Sequence, residues 1–228
     1  MKFEHDLDSI YKKLITGIDE EDIYELMRLK EKLLDMYRRQ LVKSNHSIME
    51  LIVATSFLKN GWKVDVEHRL NQLLVCDVYC EKDGIIAIVE VETGFVPPEN
   101  ALDPIAYRLA RIASKVARYS PHADIFYFAV PSYHILQIPK VLILPLKDRS
   151  AYSEKLKELK KLCDEYYRNP PIELKELLMA KIDGILLLNV DNAVVRYISV
   201  RDYYSMFIHN LVKLDLVIDQ QIIGDKRA

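Results

Sequence analysis

Three acidic residues stand in two neighbouring apolar stretches of the sequence. Asp77 interrupts a run that should otherwise form a buried strand, and Glu90 and Glu92 occupy alternate positions in a β-branched run. Because side chains on a strand alternate between its faces, Glu90 and Glu92 are expected on one face of the sheet, with the flanking valines on the other. Such a group of carboxylates could bind a cation, whereas a lone Glu-x-Glu on a strand is more often a solvated face.

The turn Lys82-Asp83-Gly84 predicts that the two apolar runs form a hairpin. In that hairpin Asp77 lies roughly opposite Glu90, so three carboxylates share a small surface. Three buried anions without compensation are very unfavourable, and a divalent cation or a set of basic partners is therefore needed. Oxygen ligands of this type favour Mg²⁺ or Mn²⁺ over zinc.

The elements around the hairpin predict an α/β fold with a mixed sheet. A helix is expected over Ser44–Asn60, with Ser44 or Asn45 as its N-cap and Gly61 as its end, followed by a strand over Trp62–Glu67. Further patterns predict strands over Leu73–Cys80, Ile85–Glu92, Ile125–Val130 and Ile138–Leu144, helices over Pro104–Tyr119, Ser153–Tyr167 and Asp202–Val212, and a hairpin of Ile185–Val190 with Ala193–Val200.

The chain is expected to divide into three segments. Residues 1–45 should form a helical hairpin, with helices over Phe3–Ile15 and Asp19–Lys43, that either caps the main domain or makes a dimer contact. Residues 46–146 should form the α/β core, and residues 147–228 an extension of helix and β-hairpin packed on it.

The helix that begins at Pro104 carries a basic face and an apolar face. The basic face consists of Arg108, Arg111, Lys115 and Arg118, at spacings of three and four residues. The apolar face consists of Ile105, Leu109, Ile112 and Val116, and it should pack on the sheet. An acidic centre followed by a basic helix is typical of a metal site edged by contacts to nucleic-acid phosphates. Internal ion pairing without a ligand would give the same pattern.

The stretch from Ser47 to about Pro131 resembles the core of the PD-(D/E)XK nuclease superfamily, which includes Holliday junction resolvases and many restriction enzymes. The pattern of that family is an acid on the second strand and acid-x-Lys on the third. Asp77 matches the first acid and Glu90 the second, whereas Glu92 stands where the lysine is expected. Glu50 matches an additional acid that many resolvase-like members use.

The resemblance implies a Mg²⁺-dependent endonuclease that hydrolyses DNA phosphodiester bonds with a metal-activated water. It implies that Glu50, Asp77 and Glu90, with the Val91 carbonyl, hold one or two Mg²⁺ or Mn²⁺ ions. Resolvase-like enzymes work as dimers, and a homodimer is therefore expected.

Because Glu92 stands where the family pattern has a lysine, the residue that supplies positive charge to the site is left open. Glu92 could act as a general base or bind a second metal ion, as a glutamate does in some restriction enzymes of this superfamily. A lysine could also arrive from elsewhere, with Lys115 as the main candidate and Lys63 as a weaker one. The catalytic group is therefore expected to comprise Asp77, Glu90, Glu92 and Lys115.

Two alternatives fit the same residues. In one, the protein is a catalytically lapsed member of the fold that binds nucleic acid or protein partners, and Glu92 marks the loss. In the other, it is a structural dimer whose carboxylates are neutralised by Arg111 and Lys115. His46 lies one helical turn before Glu50, and for it a capping or surface role is favoured.

The composition limits the remaining classes. With 32 basic and 34 acidic residues the net charge is −2, which excludes a globally basic nucleic-acid coat protein. A hydrophobic share of 50% argues against disorder, and no apolar run approaches the ~18–20 residues that a membrane span needs. The charged first residues do not resemble a secretory signal. The odd count of three cysteines argues against a disulfide framework and for a reducing cytoplasm, and Cys76 and Cys80 fit core positions. Few glycines and frequent Ile, Lys and Glu hint at a thermophile.

Overall fold

The computed structural model describes residues 2–213 and, within them, the side chains of residues 2–207. Its helices of four or more residues are α1 (Lys2–Leu14), α2 (Glu20–Arg38), α3 (Ser44–Leu58), α4 (Pro104–Tyr119), α5 (Lys140–Ile143), α6 (Leu146–Arg149), α7 (Ser153–Tyr166), α8 (Leu174–Met179) and α9 (Val200–Lys213). Residues 214–228 of the predicted extension lie outside the described residues.

The described strands form one six-stranded sheet in the order of the chain. They are β1 (Lys63–Arg69), β2 (Val75–Lys82), β3 (Ile85–Val91), β4 (Ile125–Pro131), β5 (Gly184–Asn189) and β6 (Val194–Ile198). The β3–β4 and β4–β5 pairs are parallel, and the other neighbouring pairs are antiparallel. The predicted α/β fold with a mixed sheet is therefore confirmed, and the sheet continues beyond the segment 46–146 into β5 and β6.

The β2–β3 hairpin forms as the sequence predicts. Asp83 and Gly84 adopt positive φ angles of 53° and 77°, which make the tight turn. Val78 pairs with Val89 across the two strands. In the same register Asp77 lies opposite Glu90, and this pairing sets the geometry of the site.

Helices cover both faces of the sheet. On one face, α1, α2 and α3 pack together, and Leu29 and Ile52 share a buried cluster with Val89 of β3. On the other face, Ile112 of α4 packs with Phe126 of β4 in a second buried cluster. The helical hairpin of residues 2–38 therefore caps the sheet in this chain.

The structure corrects three local predictions. The run Ile138–Leu144 is not a strand, because Lys140–Ile143 forms the short helix α5 after Pro139. Helix α2 ends at Arg38 rather than Lys43, since Gln40 has a left-handed φ of 60°. The residue that precedes α3 is Lys43, so neither Ser44 nor Asn45 is its N-cap.

The described residues bear on two expectations, one about membrane spans and one about the cysteines. None of the helices they form is long and apolar enough to cross a membrane. Cys76 and Cys80 are buried, as expected for small core residues; Cys163 is also buried, and all three thiols are unpaired.

Candidate metal centre

Two groups of charged side chains meet on the β2–β3 hairpin between α3 and α4. We call the first the acid–histidine cluster, which consists of His46, Glu50, Glu67 and Asp77. We call the second the lysine cluster, which consists of Glu90, Glu92, Arg111 and Lys115. Asp77 lies between the two groups, because its carboxylate approaches both His46 and Lys115.

In the acid–histidine cluster each of the four residues offers one ligand atom, and these atoms lie within 4.8 Å of one another. His46 and Glu50 are one helical turn apart on α3 and therefore share a face. The His46 Nδ1 atom lies 3.0 Å from Glu50 Oε1, and its Nε2 atom lies 2.9 Å from the Val91 carbonyl oxygen. Nε2 is also 3.9 Å from Asp77 Oδ2, so the imidazole joins helix and hairpin.

The negative charge of this cluster is only partly balanced by its contacts. Glu50 has no exposed surface, and its Oε2 has no hydrogen-bond partner among the described residues. Burial raises the pKa of Glu50 to about 7. Burial, with the charges of Glu50 and Asp77, raises the pKa of Glu67 to about 8. For His46, burial lowers the pKa, but Asp77 and Glu50 outweigh it and raise the value to about 9. A further cation would therefore stabilise this cluster.

Glu67 reaches the cluster through an unusual backbone. Its neighbours Val66 and His68 pair with Val78 and Cys76, so Glu67 lies across from Asp77. Its φ angle is +46°, a left-handed conformation that costs an L-residue about 1–2 kcal/mol. Strain of this kind concentrates at functional sites. Sequence reasoning counted Glu67 only in the general acidic charge, because no residue-type preference indicates this conformation.

In the lysine cluster acids and bases are matched. Lys115 Nζ lies 2.9 Å from Glu90 Oε2, 2.7 Å from Glu92 Oε1 and 3.7 Å from Asp77 Oδ2. Arg111 Nε donates to both oxygens of Glu92, at 3.1 and 3.0 Å. Two carboxylates thus face two cationic side chains.

These ion pairs shift the pKa values of Glu92 and Lys115. Burial would raise the pKa of Glu92, but Lys115 and Arg111 outweigh it and lower the value to about 2. Burial alone would lower the pKa of Lys115, but Glu90 and Glu92 raise it well above the ordinary value. Glu92 and Lys115 are therefore both charged at neutral pH.

Hydrogen bonds from backbone N–H groups hold the Asp77 and Glu90 carboxylates on the hairpin. The Val91 N–H donates to Asp77 Oδ2 at 2.6 Å, and the Asp77 N–H donates to Glu90 Oε1 at 3.3 Å. The two carboxylates are thus held by each other's strand. Their relative position depends on the hairpin register rather than on flexible side chains alone.

The structure brings together most of the predicted site residues. Glu50, Asp77, Glu90, Glu92 and Lys115 meet, and Arg111 joins them. Two members of the predicted basic face turn elsewhere and bond to main-chain oxygens, since Arg108 donates to the Gly94 carbonyl and Arg118 to the Pro170 carbonyl.

Two further residues were placed differently by sequence reasoning. His46 lies inside the cluster, and the favoured capping or surface role is therefore wrong. Its spacing of four residues from Glu50 was the signal that could have found it. Lys63 is exposed and pairs across the sheet with Glu81.

The acid–histidine cluster fits a divalent cation by its donor set. Its three carboxylates provide oxygen ligands of the kind that Mg²⁺ and Mn²⁺ accept, while both ring nitrogens of His46 contact oxygen atoms, Glu50 Oε1 and the Val91 carbonyl. The unpartnered Glu50 Oε2 supplies a free ligand atom. The lysine cluster does not offer free carboxylates in the same way, because Lys115 contacts Glu90 and Glu92, and Arg111 contacts Glu92.

No model of a protein family matches the sequence. No curated protein matches it. Among solved structures, an XisH family protein from Nostoc punctiforme and an fdxN element excision controlling factor protein from Anabaena variabilis resemble this chain at 13% identity, with TM-scores of 0.30 and 0.31. The alignments cover 67% of this chain and 99% and 98% of those chains. A likeness at this level supports no conclusion about function.

Proposed function

We propose that this protein is a metal-dependent nuclease that hydrolyses DNA phosphodiester bonds and has a PD-(D/E)XK-like core. The observation that carries the proposal is the fully buried Glu50, whose Oε2 has no hydrogen-bond partner among the described residues and belongs to a group of possible metal ligands. An uncompensated buried carboxylate is costly, and a bound cation removes that cost.

Glu50, Glu67 and Asp77 are the proposed ligands of Mg²⁺ or Mn²⁺, with His46 beside them. Glu90 is retained as a ligand candidate, because its Oε1 accepts from the Asp77 N–H. A bound ion would supply an activated water and would stabilise negative charge on the phosphate oxygens. His46 orients the Glu50 carboxylate and ties it to the Val91 carbonyl.

Lys115 takes the role of the lysine that the family pattern places on the third strand. Its ammonium group lies 3.7 Å from Asp77 Oδ2, so it can offset the charge that builds on a phosphate bound beside Asp77. Glu92 is a weak base, since its pKa is lowered to about 2 by Lys115 and Arg111 against the effect of burial. We therefore assign to Glu92 and Arg111 the positioning of Lys115.

A homodimer is part of the proposal. Tyr24 and Met27 lie three residues apart on α2 and are 70% and 44% exposed, so one side of this helix exposes two large apolar side chains. Light scattering of the purified protein tests this part, and a single species at the monomer mass contradicts it.

A second candidate function is favoured by the lysine cluster. Because Lys115 and Arg111 pair with Glu90 and Glu92 inside the protein, the same residues could serve stability in a catalytically lapsed binding protein. DNA binding that survives Asp77→Ala and weakens in Arg111→Ala would support that candidate.

Titration with Mn²⁺ and a cleavage assay on duplex, single-stranded and branched DNA test the nuclease proposal. We expect carboxylate-dependent Mn²⁺ binding and DNA cleavage, both lost in Asp77→Ala. Glu81→Gln is the matched control, because Glu81 is an exposed acid on the same strand. Failure of clean protein to cleave any of these substrates contradicts the proposal.

A further inference from the structure

Two aromatic side chains stand exposed at the edge of the sheet beside the candidate metal centre. Phe95 follows β3 and is 58% exposed, and Tyr133 follows β4 and is 77% exposed. Strands β3 and β4 are parallel neighbours, with Val91 paired to Ala129. Both loops therefore leave the sheet at the same edge.

The two loops are in contact through the residues next to these rings. A Cβ added to Gly94 would lie 2.3 Å from His134 Cε1, so the imidazole of His134 packs directly on the Gly94 backbone. Gly94 also has a φ angle of +75°, which disfavours other residues. The contact between Gly94 and His134 keeps Phe95 and Tyr133 on neighbouring loops.

Phe95 also connects this edge to the acid–histidine cluster. The Nζ atom of Lys43 lies 4.5 Å from the centre of the Phe95 ring, in a cation–π contact. Lys43 immediately precedes α3, the helix that carries His46 and Glu50. We call Lys43, Phe95 and Tyr133 the aromatic rim.

We propose that the aromatic rim binds unpaired nucleotides, so that the DNA acted on at the neighbouring site is single-stranded or locally unpaired. Exposed rings stack on bases whatever the sequence, and a nearby cation contacts the backbone; single-strand binding proteins use this combination. Duplex DNA offers no free base faces to such rings. The proposal deepens the nuclease function and rests on it for the identity of the reaction.

The aromatic rim and the acid–histidine cluster are close to each other along the chain. Phe95 is four residues beyond Val91, whose carbonyl oxygen contacts His46. A nucleotide stacked on Phe95 therefore leaves its backbone close to the start of α3. The carboxylates of the acid–histidine cluster repel DNA phosphates. Stacking on the aromatic rim therefore supplies binding energy that does not depend on charge.

Fluorescence anisotropy with a short labelled DNA strand, its duplex and a duplex with a central unpaired bulge tests the rim. Measured in EDTA, binding is separated from cleavage. We expect the single strand and the bulged duplex to bind more tightly than the duplex. Phe95→Ala and Tyr133→Ala should each weaken single-strand binding about tenfold and change duplex binding little. Tyr152→Ala, which removes an exposed ring between α6 and α7, is the control and should have no effect.

Two substitutions of Phe95 distinguish stacking on DNA bases from an apolar contact with another protein. Phe95→Tyr should retain single-strand binding, and Phe95→Leu should lose it. Retention in Phe95→Leu, or equal affinity for single strand and duplex, overturns the inference.

The inference and the nuclease proposal can fail separately. If the protein cleaves duplex and single strand equally and the rim variants change neither, the inference fails while the nuclease proposal stands. If single-strand binding depends on both rings but Mn²⁺ supports no cleavage, the rim stands and the nuclease proposal fails.

Discussion

The acid–histidine cluster and the lysine cluster each contain a fully buried glutamate but differ in their balance of charge. Glu50 is 0% exposed and Glu90 is 1% exposed. Glu90, however, has the ammonium group of Lys115 at 2.9 Å, whereas Glu50 Oε2 has no hydrogen-bond partner among the described residues. The acid–histidine cluster sets three carboxylates against one imidazole, and the lysine cluster sets two against two cations.

The difference shows that burial alone does not indicate what an acidic residue does. A buried acid whose charge is balanced by paired cations, as Glu92 is by Lys115 and Arg111, needs no ligand, and its removal disturbs the fold. A buried acid without them stores an unfavourable charge that a ligand can relieve, as at many functional sites. The two clusters should therefore respond in opposite ways to neutral substitutions.

Lys115→Met should give the largest loss of stability. It leaves Glu90 and Glu92 buried without their shared cation, and breaking such a buried pair costs about 3–5 kcal/mol. Chemical denaturation of both proteins measures this free energy of unfolding. Lys157→Met is the matched control, because Lys157 makes an equally short 2.7 Å contact with Glu154 at the surface. An exposed pair contributes less than about 1 kcal/mol, so similar losses in both variants would contradict the distinction.

Asp77→Asn should reduce Mn²⁺ affinity and DNA cleavage by at least about a hundredfold, since even residues behind metal ligands contribute ten- to a hundredfold. Asp77 belongs to the acid–histidine cluster and also approaches Lys115, and its loss should lower activity far more than stability. Calorimetric Mn²⁺ titration and single-turnover cleavage provide the two measurements. A variant that keeps wild-type Mn²⁺ affinity would place the ion elsewhere.

The stability of the metal-free protein should fall as pH rises from about 5 to 9. Burial, with Glu50 and Asp77, raises the pKa of Glu67 to about 8, so the folded state holds a proton that the unfolded state has lost. The raised pKa of His46, about 9, acts in the same direction, since Asp77 and Glu50 outweigh its burial and their benefit is lost as pH rises through that value.

Thermal unfolding in EDTA at several pH values measures this trend. Saturating Mn²⁺ should reduce or reverse the fall, because metal binding requires deprotonated ligands and strengthens as pH rises. A melting temperature in EDTA that is constant or rises with pH would show that the acid–histidine cluster is already balanced.

Glu67→Gln should have the smallest effect, and it should be stabilising. At pH above 8 the substitution removes an uncompensated charge, and the free energy of unfolding without metal should rise by about 0.5–1 kcal/mol. Mn²⁺ should no longer raise the melting temperature as far as in the wild type. Glu81→Gln, on the exposed end of β2, should change neither quantity, and a loss of stability in Glu67→Gln would contradict the account.

The sequence predicted the parts of this site that follow from periodicity. Alternation and the Asp83-Gly84 turn placed Asp77 opposite Glu90, and Pro104 marked the start of the helix that delivers Lys115. These features are local, because a two-residue turn fixes the register of both strands.

Sequence reasoning failed where contacts between distant segments decide the structure. Glu67 enters the cluster through a left-handed φ angle that no residue-type preference indicates. A short apolar run such as Ile138–Leu144 fits a strand or a buried helix equally well, and Pro139 before α5 decided it. For Arg111 the sequence left open both a phosphate-binding face and internal pairing with the carboxylates, and the contact with Glu92 depends on the packing of α4, which a helical face alone does not define.

A crystal structure of the protein soaked with Mn²⁺ tests the central claim most directly. We predict an anomalous peak in the acid–histidine cluster, within ligand distance of Glu50 Oε2 and of the Glu67 and Asp77 carboxylates, with Lys115 still paired to Glu92. A peak between Glu90 and Glu92 with Lys115 displaced, or no ion at the hairpin at saturating Mn²⁺, would contradict the account.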